Sequence, residues 1–212
     1  MSDKFIIKGV PYFSQLDNKY EPFTSCFPTT MAMIIQFCLD EKGLDKEAIG
    51  CHKNTQLEDY LNELIYDETT TKWMKENQSI IGSWIWKYNR KTIYVVEAYI
   101  FNRLMNNYGF KAKYTEMIYD NYCINIETNK LPIAVGGNFS SVSRVKGHVC
   151  CGIGFNRIGL KELIVHDPFG NALKGYPQNQ TQEQNNKDGF ECAYGLRFFN
   201  NGKFSSVLIE RV

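Results

Sequence analysis

The sequence predicts a mixed α+β fold, with helices in the first half of the chain and antiparallel strands in the second. Apolar residues in the first half recur at helical spacing, as they do between Met31 and Leu39. After Gly109 the pattern changes to short segments of alternating apolar and polar residues, which indicate strands. Helices followed by a run of strands are typical of an α+β architecture. Because neither an internal repeat nor a linker is visible, we expect one domain over residues 1–212.

Helices are expected in three parts of the first half. The first follows Pro28, which suits a first turn because proline has no N–H to leave unpaired, and it should end before Gly43. The stretch from about 44 to 89 is helical but patchy, and we interpret it as a helical insertion with the three tryptophans. A further helix is predicted over 92–108, with Gly109 as its stop. The buried stripe of the first helix consists of Met31, Ile34, Ile35, Cys38 and Leu39.

Strands and loops account for the remainder of the chain. Residues 9–17 are predicted to be an extended entry segment that leads into a polar loop. The stretch from 176 to 189 is dominated by Gln, Asn and Lys and is predicted to be a surface loop, because it is too polar to pack. The strand candidates are 110–116, 131–135, 149–155, 162–167, 193–199 and 204–210.

Charge and composition exclude several classes of protein. The 24 basic and 23 acidic residues leave a formal net charge of +1, whereas a nucleic-acid partner calls for a concentrated basic face. No apolar run approaches the ~20 residues of a membrane helix.

The start at Met1 is polar and does not resemble a signal peptide, so we expect no pro-segment and a location in the cytoplasm or release without a signal peptide. Seven scattered cysteines then indicate free thiols.

Neither a metal nor a cofactor is expected. The close pairs, Cys51-His52 and Cys150-Cys151, are adjacent in sequence, and neighbours on an extended chain point in opposite directions. The oligomeric state stays open.

Cys26 is the candidate nucleophile. It directly precedes the apolar stripe of the first helix, and a helix N-terminus favours the reactive thiolate. Five other cysteines lie on or beside apolar stretches and are interpreted as buried core residues, namely Cys38, Cys123, Cys150, Cys151 and Cys192.

His148 and Asp167 are the candidate general base and its orienting carboxylate. A turn centred between Arg157 and Ile158 would pair His148 directly with Asp167, with Cβ atoms about 5 Å apart on one face. A carboxylate at that distance can accept the imidazole N–H and fix its tautomer. A register slip of one residue would bring His166 opposite instead.

Gln15 is the candidate oxyanion donor. Acyl transfer builds negative charge on a carbonyl oxygen, and a side-chain amide together with the backbone N–H of Cys26 would supply two donors. The remaining histidines are interpreted as a structural residue, His166, and a surface residue, His52.

Four short segments resemble papain-like cysteine peptidases. They are most similar to the peptidase domains of bacteriocin exporters, which cut after a double-glycine leader, and to the stand-alone relatives of those domains (peptidase family C thirty-nine and its look-alikes). These segments are Val10–Gln15, Cys26–Met33, Gly147–Val149 and His166–Gly170.

The resemblance implies a papain-like fold and assigns one role to each of the four residues. Gln15 would help to form the oxyanion hole, Cys26 would be the nucleophile, His148 the base and Asp167 its orienting residue. The sequence departs from the family at Phe27, where relatives usually carry glycine. It departs again at 44–89, which has no recognisable counterpart, so substrate preference does not carry over.

The resemblance also implies hydrolysis of a peptide or isopeptide bond through a thioester. Peptides of the bacterial cell wall rank slightly ahead of leader peptides as substrates, since stand-alone relatives in bacteria and their phages often look like wall hydrolases. Deamidation and acyl transfer are alternatives within the same chemistry. A different class is a catalytically inactive papain-like module that binds a peptide, or a structural component of a larger assembly such as a phage particle. The presence of all four residues favours the enzyme.

Overall fold

A computed structural model gives the fold, and it describes residues 2–77, 90–142, 145, 147–176 and 187–212. These residues form helices and an antiparallel sheet, so the predicted α+β class is confirmed. None of the helices in the described ranges combines the length and the apolar character needed to cross a bilayer.

The described strands form one seven-stranded sheet in which every pairing is antiparallel. Its main order is β2-β7-β3-β4-β5-β6, and β1 pairs with the end of β4 that β3 leaves uncovered. The strands are β1 (Lys4–Ile6), β2 (Phe110–Ile118), β3 (Ile133–Gly137), β4 (His148–Asn156), β5 (Glu162–His166), β6 (Cys192–Gly195) and β7 (Lys203–Arg211).

Helices cover both faces of this sheet. The described helices are α1 (Cys26–Glu41), α2 (Leu57–Ile65), α3 (Glu68–Glu76), α4 (Arg90–Met105) and α5 (Tyr119–Asn129). Tyr94 of α4 packs over Gly136 of β3, and Tyr122 of α5 packs over Gly152 of β4. Gly136 pairs with Val149, three residues from Gly152, so the two glycines face opposite sides of the sheet.

The predicted helix ends are confirmed by left-handed glycines. The first helix stops at Glu41 and Gly43 has a φ of +66°, while Gly109, with a φ of +83°, follows the short 3₁₀ turn after α4. Neither α5 nor β1 (Lys4–Ile6) was predicted from the sequence, because α5 is largely polar and β1 has only three residues.

The predicted strand over 193–199 is too long. β6 ends at Gly195, and a 3₁₀ segment over Leu196–Gly202 follows. Leu196 to Phe198 adopt helical backbone, which cannot continue a strand, and the left-handed residues Asn200 and Asn201 lie beyond the predicted range.

The stretch from 44 to 89 is helical where it is described, since it contributes α2 and α3. Trp73 of α3 stacks on Tyr99 of α4 with ring centroids 4.0 Å apart. Trp84 and Trp86 lie outside the described residues. That this stretch is an insertion within one domain stays a prediction.

The predicted register of the β4–β5 hairpin is wrong. Asn156 pairs with Glu162, so the loop is centred on Gly159, which adopts a φ of +68°. A bulge between Gly152 and Gly154 shifts the register back by one residue, so that Cys151 pairs with His166. His148 and Asp167 are therefore not directly opposed, and Asp167 lies one residue beyond β5.

Candidate active site

Cys26 is the first residue of α1 and the only partly exposed cysteine, because the other six are buried. The loop before it is tied to the helix by Asn18, whose side-chain amide donates to the hydroxyls of Ser25 and Thr29, both at 2.8 Å. Backbone N–H groups in the first turn of a helix have no partner within the helix, so they can donate to an acceptor at this position.

His148 is buried at the start of β4, with 4% of its surface exposed. Its Nε2 lies 2.6 Å from Oδ1 of Asp167, which leaves Nδ1 to exchange a proton with another group. Burial alone lowers the pKa of His148, but the attraction of the Asp167 carboxylate outweighs it and holds the pKa well above its usual range. The Asp167 carboxylate therefore favours the cationic form of the imidazole.

Asp167 is fully buried, and both of its carboxylate oxygens are occupied by donors. Oδ1 accepts from the backbone N–H of Phe169 at 3.0 Å in addition to its contact with His148. Oδ2 accepts from the hydroxyls of Tyr176 and Tyr194, both at 2.8 Å. Burial and the neighbouring Asp167 charge raise the pKa of both tyrosines, so their hydroxyls stay protonated and donate.

Gln15 opens a 3₁₀ turn and is 1% exposed. Its backbone N–H donates to the carbonyl of Pro168 at 2.9 Å, which joins this turn to the residue after Asp167. Its Nε2 donates to the carbonyl of Pro22 at 2.6 Å, and Oε1 accepts no hydrogen bond from the described protein. One amide N–H remains for a further acceptor.

A cavity of about 500 Å³ brings three of the four predicted residues together, since Gln15, Cys26 and His148 all line it. No hydrogen bond joins the Cys26 thiol to His148 within the described part of the chain. Phe27, where the resemblance leads one to expect glycine, also lines the cavity and packs against Tyr94 of α4, with ring centroids 4.6 Å apart.

Glu97 of α4 also lines this cavity and is 1% exposed. Neither carboxylate oxygen accepts a hydrogen bond from the described protein. Burial raises the pKa of Glu97 to about 8.

Cys150 lies beside the His148–Asp167 pair, and one candidate ligand atom from each of the three residues is within 4.8 Å of the other two. This cluster was not predicted from the sequence, because only residues adjacent in the chain were compared and Asp167 is distant in sequence from His148 and Cys150. Because both Asp167 oxygens and Nε2 of His148 already make hydrogen bonds, the cluster suits a proton-transfer pair better than a metal ion. Burial raises the pKa of Cys150 to about 12.

The other two histidines do not line the cavity. Nε2 of His166 lies 3.1 Å from the carbonyl of Val10, and its Nδ1 accepts from the backbone N–H of Glu191 at 3.1 Å. Burial lowers the pKa of His166, which therefore joins two loops as a neutral ring. His52 is exposed.

Three residues of this site were missed by sequence reasoning. Tyr176 was placed in a surface loop but is buried, and residues 177–186 of that loop lie outside the described residues. In the sequence, Tyr194 was indistinguishable from any other residue of a predicted strand. Glu97 was likewise indistinguishable from any other charged residue of a predicted helix. The one available signal for Glu97 was its spacing in the sequence. It follows Ile93 by four residues and Tyr94 by three, so all three lie on the same face of the predicted helix.

Comparison with known proteins gives a family match and a fold match. The model of the family described as Peptidase_C39 like family matches residues 7–194. No curated protein sequence matches the chain significantly. Among solved structures, the chain is similar to the crystal structure of UfSP from C. elegans, with 12% sequence identity and a TM-score of 0.50.

That similarity covers 100% of this chain and 35% of the UfSP chain, so this chain spans about a third of the length of that relative. At 12% identity, the likeness concerns the fold alone.

Selective alkylation is the first expected outcome. Iodoacetamide at limiting dose and pH 6 should modify Cys26 ahead of the other six cysteines, because it is partly exposed at a helix N-terminus. Burial raises the pKa of Cys38 and Cys192 to about 12, so these thiols should stay unmodified. Peptide mass spectrometry reads the sites, and alkylation in urea should reach all seven. Uniform labelling of the folded protein would contradict the assignment.

The second expected outcome is a pH dependence of the free energy of unfolding to which Glu97 contributes. Its folded-state pKa of about 8 lies above the usual 4.5, so the folded protein holds this proton more tightly. The free energy of unfolding should therefore fall between about pH 4.5 and pH 8, by at most about 1.4 kcal/mol per pH unit. Glu97→Gln should reduce this slope in urea titrations, while Glu58, whose pKa burial raises to about 7, keeps its own contribution. Glu21→Gln, at an exposed glutamate on the same cavity, is the control; equal slopes for all three proteins would refute the prediction.

Proposed function

This chain belongs to the Peptidase_C39-like family and is a cysteine-type peptidase with a papain-like fold, and on that premise we propose that it hydrolyses peptide or isopeptide bonds through Cys26, His148 and Asp167. One observation carries the proposal. The buried 2.6 Å contact between His148 and Asp167 stands beside a cavity that His148 shares with the partly exposed thiol of Cys26.

Activation of the thiol follows from two neighbouring sources of positive charge. The Asp167 carboxylate favours a protonated His148, and an imidazolium beside a thiol favours the thiolate. The N-terminus of α1 acts in the same direction, because its unpaired N–H groups stabilise an anion. In the proposed resting state, Cys26 is a thiolate and His148 an imidazolium.

The proposed reaction has two stages. The thiolate of Cys26 attacks the carbonyl carbon, and the C–N bond breaks as His148 gives its proton to the leaving amine. This stage leaves a thioester and a neutral imidazole. The imidazole then takes a proton from water, and the resulting hydroxide attacks the thioester. The C–S bond breaks, and the acid product leaves with the thiolate and imidazolium restored.

Gln15 is the proposed donor to the oxyanion in both stages. Its amide lines the same cavity as Cys26, and one of its N–H groups is not used by Pro22. A second donor would be the backbone N–H of Cys26 at the first turn of α1. Donors that are fixed before charge develops lower the barrier more than donors that must reorient.

The proposed substrates are peptides of the bacterial cell wall first and leader peptides second. Both classes rest on the family resemblance and on a cavity large enough to hold several side chains, at about 500 Å³. Association with a phage particle is the corresponding proposal for the location of the protein.

Replacement of the nucleophile tests the proposal directly. Cys26→Ala should abolish turnover of any peptide or wall fragment that the parent cleaves, while thermal unfolding and substrate binding persist, because the thiol is not part of the core. Cys51→Ala is the matched control, since Cys51 is buried and does not line the cavity, and it should retain activity. Undiminished turnover by Cys26→Ala would refute the proposed mechanism.

Gln15→Ala should lower kcat roughly 10²-fold with little change in KM, which is the scale for the loss of one oxyanion donor. The matched control is Gln36→Ala, which removes an amide from α1 away from the cavity and should leave kcat unchanged. A rise in KM at constant kcat would show instead that Gln15 binds the ground state of the substrate.

A further inference from the structure

Glu97 combines three features that the hydrolysis described above does not use. Its side chain is 1% exposed, it lines the cavity that holds Cys26 and His148, and neither of its oxygens accepts a hydrogen bond from the described protein. Buried polar groups in proteins are nearly always paired, since an unpaired one costs free energy. A carboxyl group that faces a cavity without a protein partner is therefore suited to a ligand that brings donors.

The position of Glu97 follows from the face of α4 on which it lies. Ile93 and Tyr94, one helical turn earlier, line the same cavity. Tyr94 is fixed from two sides, by its ring contact with Phe27 at 4.6 Å and by its close approach to Gly136. Because Phe27 directly follows Cys26, this packing sets Glu97 within the same cavity wall as the nucleophile.

The charges around the cavity identify the kind of donor. No lysine or arginine is found among its described lining residues, whereas Glu21 adds a second, exposed carboxylate. His148 is cationic, but its Nε2 is engaged with the buried carboxylate of Asp167. The described lining contains two acidic side chains and no lysine or arginine, and the charge of His148 is paired with Asp167, so the cavity favours a positively charged ligand.

We propose that Glu97 is a specificity residue that binds a primary ammonium group of the peptide substrate. This inference rests on the proposed peptidase site, because it names the substrate class for the same cavity. An ammonium group carries three donors and one positive charge, so on binding it can take the place of the proton that burial holds on Glu97, which is released to water, and pair with the carboxylate.

The apolar neighbours of Glu97 suit the stem of such a group. Phe27, Ile93 and Val96 line the cavity together with it, and lysine side chains bury their methylene stems along apolar surface. Two sources supply the same ammonium chemistry, a lysine-type side chain and a free amino terminus, and the experiment below separates them.

The test is a panel of octapeptides in which each position carries either lysine or norleucine, with free and acetylated amino termini. Cleavage by the parent is followed by mass spectrometry, and kcat/KM is measured for the best pair. Lysine should exceed norleucine at one position by about 10-fold to 100-fold, the range for one charge-assisted hydrogen bond. If only acetylation lowers kcat/KM, the ammonium group is the amino terminus.

Two variants assign the preference to Glu97. Glu97→Gln keeps the shape of the side chain and should reduce the ratio towards one by lowering kcat/KM for the lysine peptide. Glu97→Met replaces the carboxyl with an apolar group of similar length and should favour norleucine. Thermal unfolding confirms that both variants are folded, and retention of the lysine preference by folded variants overturns the inference.

Binding measurements separate this inference from the proposed reaction. The peptide pair is titrated into Cys26→Ala protein, with and without Glu97→Gln, so that the result does not depend on turnover. A small probe, n-pentylammonium chloride, is compared with 1-pentanol in the same way, so that no peptide is needed. Tighter binding of the ammonium member that is lost in Glu97→Gln supports the inference even if Cys26→Ala retains activity. Equal binding of both members to the parent overturns it.

Discussion

The rest of the candidate site depends on the satisfaction of one buried carboxylate. Asp167 is withdrawn from water, and an ion in such a position costs several kcal/mol unless donors surround it. The hydroxyls of Tyr176 and Tyr194 hold one oxygen, and His148 shares the other with a backbone N–H. Since these donors come from separate parts of the chain, the carboxylate fixes their relative positions together with the orientation of the imidazole.

The turn that carries this carboxylate also sets the position of the proposed oxyanion donor. The carbonyl of Pro168 accepts the backbone N–H of Gln15, and the backbone N–H of Asp167 donates to the carbonyl of Gly189 at 2.8 Å. A Cβ atom at Gly189 would lie 1.9 Å from the carbonyl oxygen of Asp167, so only glycine permits this approach. The three segments are therefore held at one point, and the proposed base and the proposed oxyanion donor line the same cavity.

The proposed substrate specificity lies outside the segments that carry the family resemblance. Phe27 replaces the expected glycine and packs on Tyr94, so α4 becomes a wall of the cavity beside Cys26. The same helix contributes Glu97, and α2 contributes Asn62 to the lining. The proposed chemistry thus depends on the four segments that carry the resemblance, while the proposed recognition depends on helices outside them.

The sequence by itself determined the α+β class, the helix that begins at Cys26 and most of the strands, because apolar periodicity and helix-end preferences act over a few residues. It also singled out His148 and Asp167, although by a register that the loop at Gly159 and the bulge in β4 contradict. Only the tertiary structure decided that these two side chains meet, that two distant tyrosines share the carboxylate, and that Glu97 has no hydrogen-bond partner in the described part of the chain. The physical reason is that such contacts depend on how far-separated backbone segments pack, and a local pattern carries no record of that.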